Sequence, residues 1–385
     1  MKDLLVHEKL STEDWKNIVF AIDRDSCVMV LGPGIAIDSQ KNRLHDKICQ
    51  QIATHIGYPI IDNSENFLNL SDKLYQQDGG YRQLLDFIQD TFRSAIHGDI
   101  HNILAQLPLS LYLSFSPDTL LLSAFKDLGY DPQFQFFHFK SVENESVKKK
   151  KVSTTLVNPT SDYPIIYNLF GSTGSVVDED SLILTHDHLF DFLFSLLGNF
   201  PLPEVILNTI REAKSFIFLG FDIDSWYLKL VLRKFKLHEK KQLPSYALFW
   251  QSFDNNNGAV QFYNEKFNLT FVNNTVNDIE VFLDELLVQC KNKGINVRKK
   301  ITASTPDQFN QEILELIGKA ETKLVFEKLE ASYKGKNKQL GNLMILKAQF
   351  SEIMKNSANG TINTEDFMIS INSIHARLIE FIESN

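Results

Sequence analysis

Three glycine-bearing stretches each follow an apolar run, and their make-up suits close contact with a phosphate-bearing ligand. Cys27-Val28-Met29-Val30-Leu31 leads into Gly32-Pro33-Gly34-Ile35-Ala36. Ile165-Ile166-Tyr167-Asn168-Leu169 leads into Phe170-Gly171-Ser172, and Phe216-Ile217-Phe218-Leu219 into Gly220-Phe221-Asp222. Glycine after a strand lets a ligand approach the backbone, and a following helix N-terminus favours phosphate. Taken alone, one such loop is explained equally well as a tight turn. Side chains near these loops that could hold or move a proton are few. Asp118 offers a carboxylate and Ser116 a hydroxyl, and strand alternation keeps Asn168 on the same side as Phe170. His138, His186 and His188 are the nearby imidazoles, and each reads more simply as a surface or structural residue. The last two fall in the first turn of a helix, where the dipole disfavours a protonated ring.

Other chemistries are poorly served. No Gly-x-Ser-x-Gly elbow and no Gly-x-x-x-x-Gly-Lys-Ser/Thr loop occurs, so acyl transfer and ATP hydrolysis lack their motifs. Cys27 sits inside an apolar strand, which makes it a core residue. Nothing near His186 and His188 completes a metal ligand set, and no metal is expected.

The elements that must position these residues alternate. Strand patterns occur at Cys27–Leu31, Leu111–Phe115, Phe134–Phe139, Ile165–Leu169, Leu182–Leu184, Ser215–Leu219, Tyr246–Trp250 and Leu269–Val272. Amphipathic helical stretches separate them, such as Leu44, Ile48 and Ile52 at four-residue spacing. Continuous apolar strands alternating with helices imply an α/β fold, a doubly wound parallel sheet covered on both faces. Ligands of such sheets bind beyond the carboxyl ends of the strands, where the Gly32 and Gly220 loops would open. The segment 291–306 is polar and reads as a linker. Beyond it, over 307–385, the pattern is purely helical. Leu343, Leu346, Phe350 and Ile353 share one face; Phe367, Ile371, Ile374, Leu378 and Phe381 share another.

Bulk properties narrow the choice. Hydrophobic residues make up 43% and charged residues 23% of the 385, as in globular proteins with a core. Thirty phenylalanines predict buried faces rich in aromatic rings. A net charge of −9 argues against nucleic acid as a partner. The run Lys148–Lys151 follows Glu143-Asn144-Glu145 and reads as a solvated loop. Without a long apolar run or an apolar leader, no membrane span is expected and the cytoplasm is the natural address.

In their order along the chain, the three loops resemble those of the prokaryotic SIR2-like (sirtuin-fold) family, over residues 15–290. Leu113-Ser114-Phe115-Ser116-Pro117-Asp118-Thr119-Leu120-Leu121 resembles the Thr-Thr-Asn-Tyr-Asp segment of its NAD-cleaving members. Gly220-Phe221-Asp222-Ile223-Asp224-Ser225-Trp226-Tyr227 resembles the late loop that contacts adenosine. The resemblance implies a Rossmann-like domain over 1–290. It also implies NAD or an NAD-derived nucleotide at Gly32, Gly34, Ile35, Ala36, Gly171, Ser172, Gly220 and Asp222. It places the family's catalytic Asn on Ser116 and its His on Phe170, with Asp118 retained. Phenylalanine accepts neither a proton nor a hydrogen bond, so catalysis by the family route is expected to be degenerate. Cys27, Cys49 and Cys290 are scattered, so the zinc ribbon of deacetylating members is absent.

The C-terminal stretch resembles the effector-associated domains of bacterial conflict systems. Its most characteristic piece is Gly360-Thr361-Ile362 ahead of Ile371-Asn372-Ser373-Ile374-His375-Ala376-Arg377-Leu378. That resemblance implies a helical adaptor that recruits a protein with a related module, in a defence or signalling system, with homo-oligomers expected. Two other readings remain open from the sequence: an active NAD hydrolase that depletes the cofactor in abortive infection, and an oligomeric scaffold that binds no nucleotide.

Overall fold

A computed structural model describes residues 6–7, 9–59, 67–139, 156–173, 181–198, 202–239, 243–249, 257–272, 278–300, 306–319, 321–333, 337–359 and 361–383. The chain divides into two compact units, Met1–Ile301 and Thr302–Asn385. The first begins with β1 (Val6–His7), α1 (Thr12–Asp23), β2 (Cys27–Leu31) and a 3₁₀ turn at Pro33–Ile35. Helices α2 (Leu44–Ile56), α3 (Phe67–Tyr75), α4 (Gly80–Ser94) and α5 (Asp99–Gln106) precede β3 (Leu111–Ser114). Then come α6 (Leu120–Asp127), β4 (Gln133–Phe136), β5 (Ile165–Asn168), α7 (His186–Leu197) and α8 (Glu204–Glu212). The unit continues with β6 (Ser215–Leu219), α9 (Trp226–Lys234), β7 (Ser245–Leu248), α10 (Gly258–Phe267), β8 (Leu269–Val272) and α11 (Asp278–Asn292).

The described strands form one parallel sheet in the order β1-β8-β7-β6-β2-β3-β5-β4. This is the doubly wound α/β architecture expected from the sequence. Every residue of β2 and β6 is buried, as central strands covered on both faces require. Alternation divides their side chains between two cores. Val28, Val30, Phe216 and Phe218 enter one, which is rich in aromatic rings; Cys27, Met29, Leu31, Ile217 and Leu219 enter the other. The chain builds outward from β2 through β3 on one side and returns to β6 on the other. The strand order therefore switches between β2 and β6, where open sheets of this kind form their crevice.

Some expected elements differ. Leu182–Leu184 is not a strand: its leucines fill a third core with Leu44, Ile48 and Ile52 from α2, so its apolar run serves helix packing. Phe137 and Phe139 are buried but lie past the end of β4. The two-residue β1, too short to leave a pattern, pairs Val6 with Phe271 at the sheet edge. Trp250 and Lys148–Lys151 lie outside the described residues.

The segment expected as a linker belongs in part to the first unit. After Gly294, at φ +80°, Ile295 and Val297 pack on the second core. Arg298 is 4% exposed, and its guanidinium donates to the carbonyls of Ala105 (3.2 Å), Leu107, Leu109 (2.8 Å) and Ser161. It also stands 4.9 Å from the Phe125 ring centroid. A guanidinium can satisfy several carbonyls at once because its donors form a rigid fork.

The second unit comprises α12 (Pro306–Gly318), α13 (Thr322–Ser332), α14 (Asn337–Ala358) and α15 (Thr364–Glu383). Asn363 caps α15 by accepting the Asp366 N–H at 2.8 Å. Its own core joins Ile313, Phe326 and Leu329 to Leu343, Leu346, Ile374, Leu378 and Phe381; of the faces expected from spacing, Phe350 and Ile353 pack against this core partly buried, and Phe367 and Ile371 lie outside it. Lys347 pairs with Glu330 at 2.7 Å and Arg377 donates to Gln349 at 2.6 Å, so both polar heads cross-link helices.

Arg298→Leu removes the donors of several buried carbonyls while keeping much of the apolar stem. Urea unfolding of the variant is expected to show a loss of about 3 kcal/mol.

Candidate functional site

At the switch between β2 and β6 the two glycine loops lie directly on each other. The Gly32 N–H donates to Leu219 O at 2.7 Å, and the Gly34 N–H to Gly220 O at 3.0 Å. A Cβ on Gly32 would stand 2.6 Å from Gly220 O. One on Gly220, at φ +71°, would stand 2.7 Å from Ile35 Cγ1. Both glycines are therefore demanded by the loop contact itself. Ile35 N–H and Ala36 N–H are also used, on Gly32 O and Pro33 O. The expected helix N-terminus after this loop is a single 3₁₀ turn, with α2 starting only at Leu44. These amides hold the loop in shape and are already paired, which differs from the phosphate-cradling role expected of them.

The loop after β3 is held as firmly. Ser116 N–H donates to Ser114 Oγ at 3.1 Å, and Asn168 Nδ2 donates to Asp118 O at 2.8 Å. Thr173 N–H and Oγ1 both donate to Pro117 O, at 2.8 and 3.0 Å. Asp118 Oδ1 accepts the Leu120 N–H at 2.8 Å, which fixes the entry to α6. Burial pushes the Asp118 carboxyl up, against the opposing pull of the Ser116 hydroxyl, the Leu120 amide and His45.

Ser116 and Asp118 line a narrow crevice with Gly32, Ile35, Ala36 and Asn168. Phe170 does not line it. It is 9% exposed, with ring centroids 5.2 Å from Phe115, 5.3 Å from Phe192 and 5.7 Å from Tyr227. The expectation that Asn168 and Phe170 share a side fails because β5 ends at Asn168. Past that point the chain leaves the pleat, and Leu169 and Phe170 both enter the aromatic core while Asn168 faces the crevice. Gly171 and Ser172 are buried beyond Phe170, and Asp222 is exposed, accepting the Asp224 N–H at 3.1 Å. None of these three lines the crevice.

The other aromatic and imidazole candidates separate by role. Tyr227 is core, whereas Trp226 is 39% exposed beside Phe190 at 5.5 Å. Thr185 caps α7, His186 pairs with Asp72 at 2.6 Å, and His188 Nδ1 accepts the Leu184 N–H at 3.3 Å. His138 is exposed. Two imidazoles that the sequence reading passed over are better placed. His101 of α5 lines the crevice at 2% exposure. His45 of α2 sits near Asp118, edge-on to Phe67 and Phe92 at 5.5 and 5.8 Å. Each lies among the apolar positions of its helix, the one signal that could have marked them. Burial drives His45 down to about 4, against the pull of Asp118 and Asp46. Burial, reinforced by His97, drives His101 down to about 3.

Comparison with known proteins finds a family match in each unit. Residues 112–271 match the family model of the SIR2-like domain, and residues 308–384 match that of effector-associated domain 11. The chain thus carries a SIR2-like domain followed by an effector-associated domain. Among curated proteins it is similar to NAD(+) hydrolase ThsA of Enterococcus faecium, 24% identical over 233 residues, 59% of this chain and 44% of that relative. NAD(+) hydrolase ThsA of Cytobacillus dafuensis is 21% identical over 201 residues, 51% of this chain and 35% of that relative. The chain thus matches less than half the length of either. Among solved structures, a SIR2 homologue–NAD complex aligns with a TM-score of 0.41 at 11% identity, covering 74% of this chain and 96% of that one. No described helix is long and apolar enough to cross a membrane.

The half-buried His45 and the buried His101 have a consequence for acid stability. Both are neutral in the folded chain, and the unfolded chain binds their protons below about pH 6.5. Stability is therefore present above that pH and is lost as pH falls toward about 4. Asp118, with its raised carboxyl, acts in the opposite sense. Thermal melts from about pH 7 to 5 should show a falling Tm, and His101→Leu should flatten that fall relative to the parent.

Proposed function

We propose that the SIR2-like unit binds NAD or an NAD-derived nucleotide along the crevice beside Gly32, Ile35, Ala36, Ser116 and Asp118, and does not cleave it by the family route. The helical unit recruits a protein bearing a related effector-associated domain, in a cytoplasmic antiviral defence or signalling system, with the chain acting as a homo-oligomer. The observation that carries the non-catalytic part is the place of Phe170. Its ring is committed to the aromatic core with Phe115 and Phe192, so the position the family resemblance assigns to a histidine offers no polar atom to a ligand. Ser116 supplies a hydroxyl in place of an amide.

The residues fit the nucleotide in part. The crevice lies by the ends of β2, β3 and β5 and combines apolar walls with Asp118, Asn168 and His101. The paired amides of the Gly32 loop would contribute shape rather than hydrogen bonds to phosphate. Active NAD hydrolysis is the second reading. It is favoured by the imidazoles of His45 and His101 near Asp118 and by similarity to proteins described as NAD(+) hydrolases.

Incubating the full chain with NAD, following nicotinamide by chromatography and binding by calorimetry, separates these readings. Binding without nicotinamide release is expected, and Gly34→Val should abolish the binding. Phe170→His should lower stability by about 2–3 kcal/mol by burying an imidazole among aromatic rings, and should not start release. Release by the parent chain that disappears in Asp118→Asn would establish the hydrolase instead.

A further inference from the structure

We infer that the outer face of α7 and α9 is where two copies of this chain meet, each laying its α7 on the other's α9; the inference rests on the homo-oligomer proposed above. The aromatic core takes only one side of each helix. It buries Leu189, Phe192, Leu193 and Leu196 of α7, and Leu228, Val231 and Leu232 of α9. The outward side of α7 carries Phe190, Phe194 and Leu197, and that of α9 carries Trp226 and Leu230. Phe194 is 76% exposed and the other four are between 39% and 46% exposed. The rings of Phe190 and Trp226 lie 5.5 Å apart near one end, and Lys234 Nζ donates to Leu197 O at 3.3 Å near the other. The helices therefore run side by side in the same direction, and their apolar residues form one strip. At roughly 200 Å² for a large side chain, the strip leaves about 500 Å² of apolar surface in water. That is large for a free-standing monomer, and with its polar rim it approaches the ~800 Å² that each partner gives to a standard interface.

Charge selects a second copy as the occupant. Asp187 and Asp191 flank the apolar residues on α7, whereas Lys229, Arg233 and Lys234 flank them on α9. Among the described residues these five form no ion pair. One helix thus presents acid and the other base beside a shared apolar strip. A partner of a single charge would satisfy only one of the two. A two-fold axis along the furrow between the helices places α7 of each copy on α9 of the other. Acid then meets base, and apolar meets apolar, twice over. An axis across the helices would set α7 on α7 and bring Asp187 and Asp191 against their like, which disfavours that pairing.

The experiment is sedimentation of the full chain across a range of concentrations, with thermal melts of every variant. The parent is expected to self-associate. Phe194→Glu should weaken that association roughly tenfold or more, as loss of a central apolar anchor does, and should melt at the parent's Tm because the side chain lies in water. Asp187→Lys/Asp191→Lys makes both helices basic, and Lys229→Glu/Arg233→Glu makes the strip's rim largely acidic. Each of these variants should associate poorly alone, and an equal mixture should recover a mixed pair. Only contact of α7 with another copy's α9 produces that recovery, and it decides the matter even if Phe194→Glu fails to fold. Association that survives Phe194→Glu undiminished, or a mixture that stays as dissociated as its parts, would overturn the inference while leaving the homo-oligomer reading intact. A parent that sediments as a single chain throughout would defeat both together.

Discussion

The contact on which the rest of the first unit depends is the one between the loops after β2 and β6. Two backbone hydrogen bonds, Gly32 N–H to Leu219 O and Gly34 N–H to Gly220 O, fasten the two halves of the sheet at their shared edge. There is no room for a side chain on either Gly32 or Gly220. Because β2 is the first central strand and β6 the first after the crossover, this contact fixes the angle at which both halves present their carboxyl ends. The glycines therefore carry two demands, loop closure and access, and the geometry already accounts for the first.

The sheet also separates two environments that the chain places only a few residues apart. One face receives an interlocked set of rings, Phe115, Phe170, Phe192, Phe221 and Tyr227. The other receives Ser116, Asp118, Asn168 and His101. Within β5 and the turn that follows, Asn168 goes to the polar side and Phe170 to the aromatic side. A ring at position 170 is thus part of a packed core, where edge-to-face aromatic contacts add to burial.

Much of this was legible in the residues. The parallel sheet followed from apolar runs alternating with helices, and the central strands came out almost to the residue because burial on both faces leaves no polar positions to confuse the pattern. The helical C-terminal unit followed from the spacing of Leu343, Leu346, Ile374 and Leu378. What was not legible depends on contacts between distant segments. Leu182–Leu184 looked like a strand because three apolar residues in a row carry no information about whether their partner is a strand or a helix. The crevice was harder still. Ser116 and Asp118 were found from a resemblance, but His45 and His101 lie on apolar helix faces, where a histidine ordinarily reads as core. Only the tertiary fold shows that these faces end at the site. Asn168 was expected beside Phe170 from strand alternation, but β5 ends at Asn168, so Asn168 lines the crevice and Phe170 turns into the aromatic core.

Arg298 has a mechanical consequence. It is anchored to the turn that feeds β3, through carbonyls of Ala105, Leu107 and Leu109, only a few residues before the chain enters the helical unit. A tension applied along the backbone from that unit would meet the guanidinium clamp before it met the sheet. The clamp thus makes Arg298, and not the end of α11, the last point at which the first unit holds its own chain.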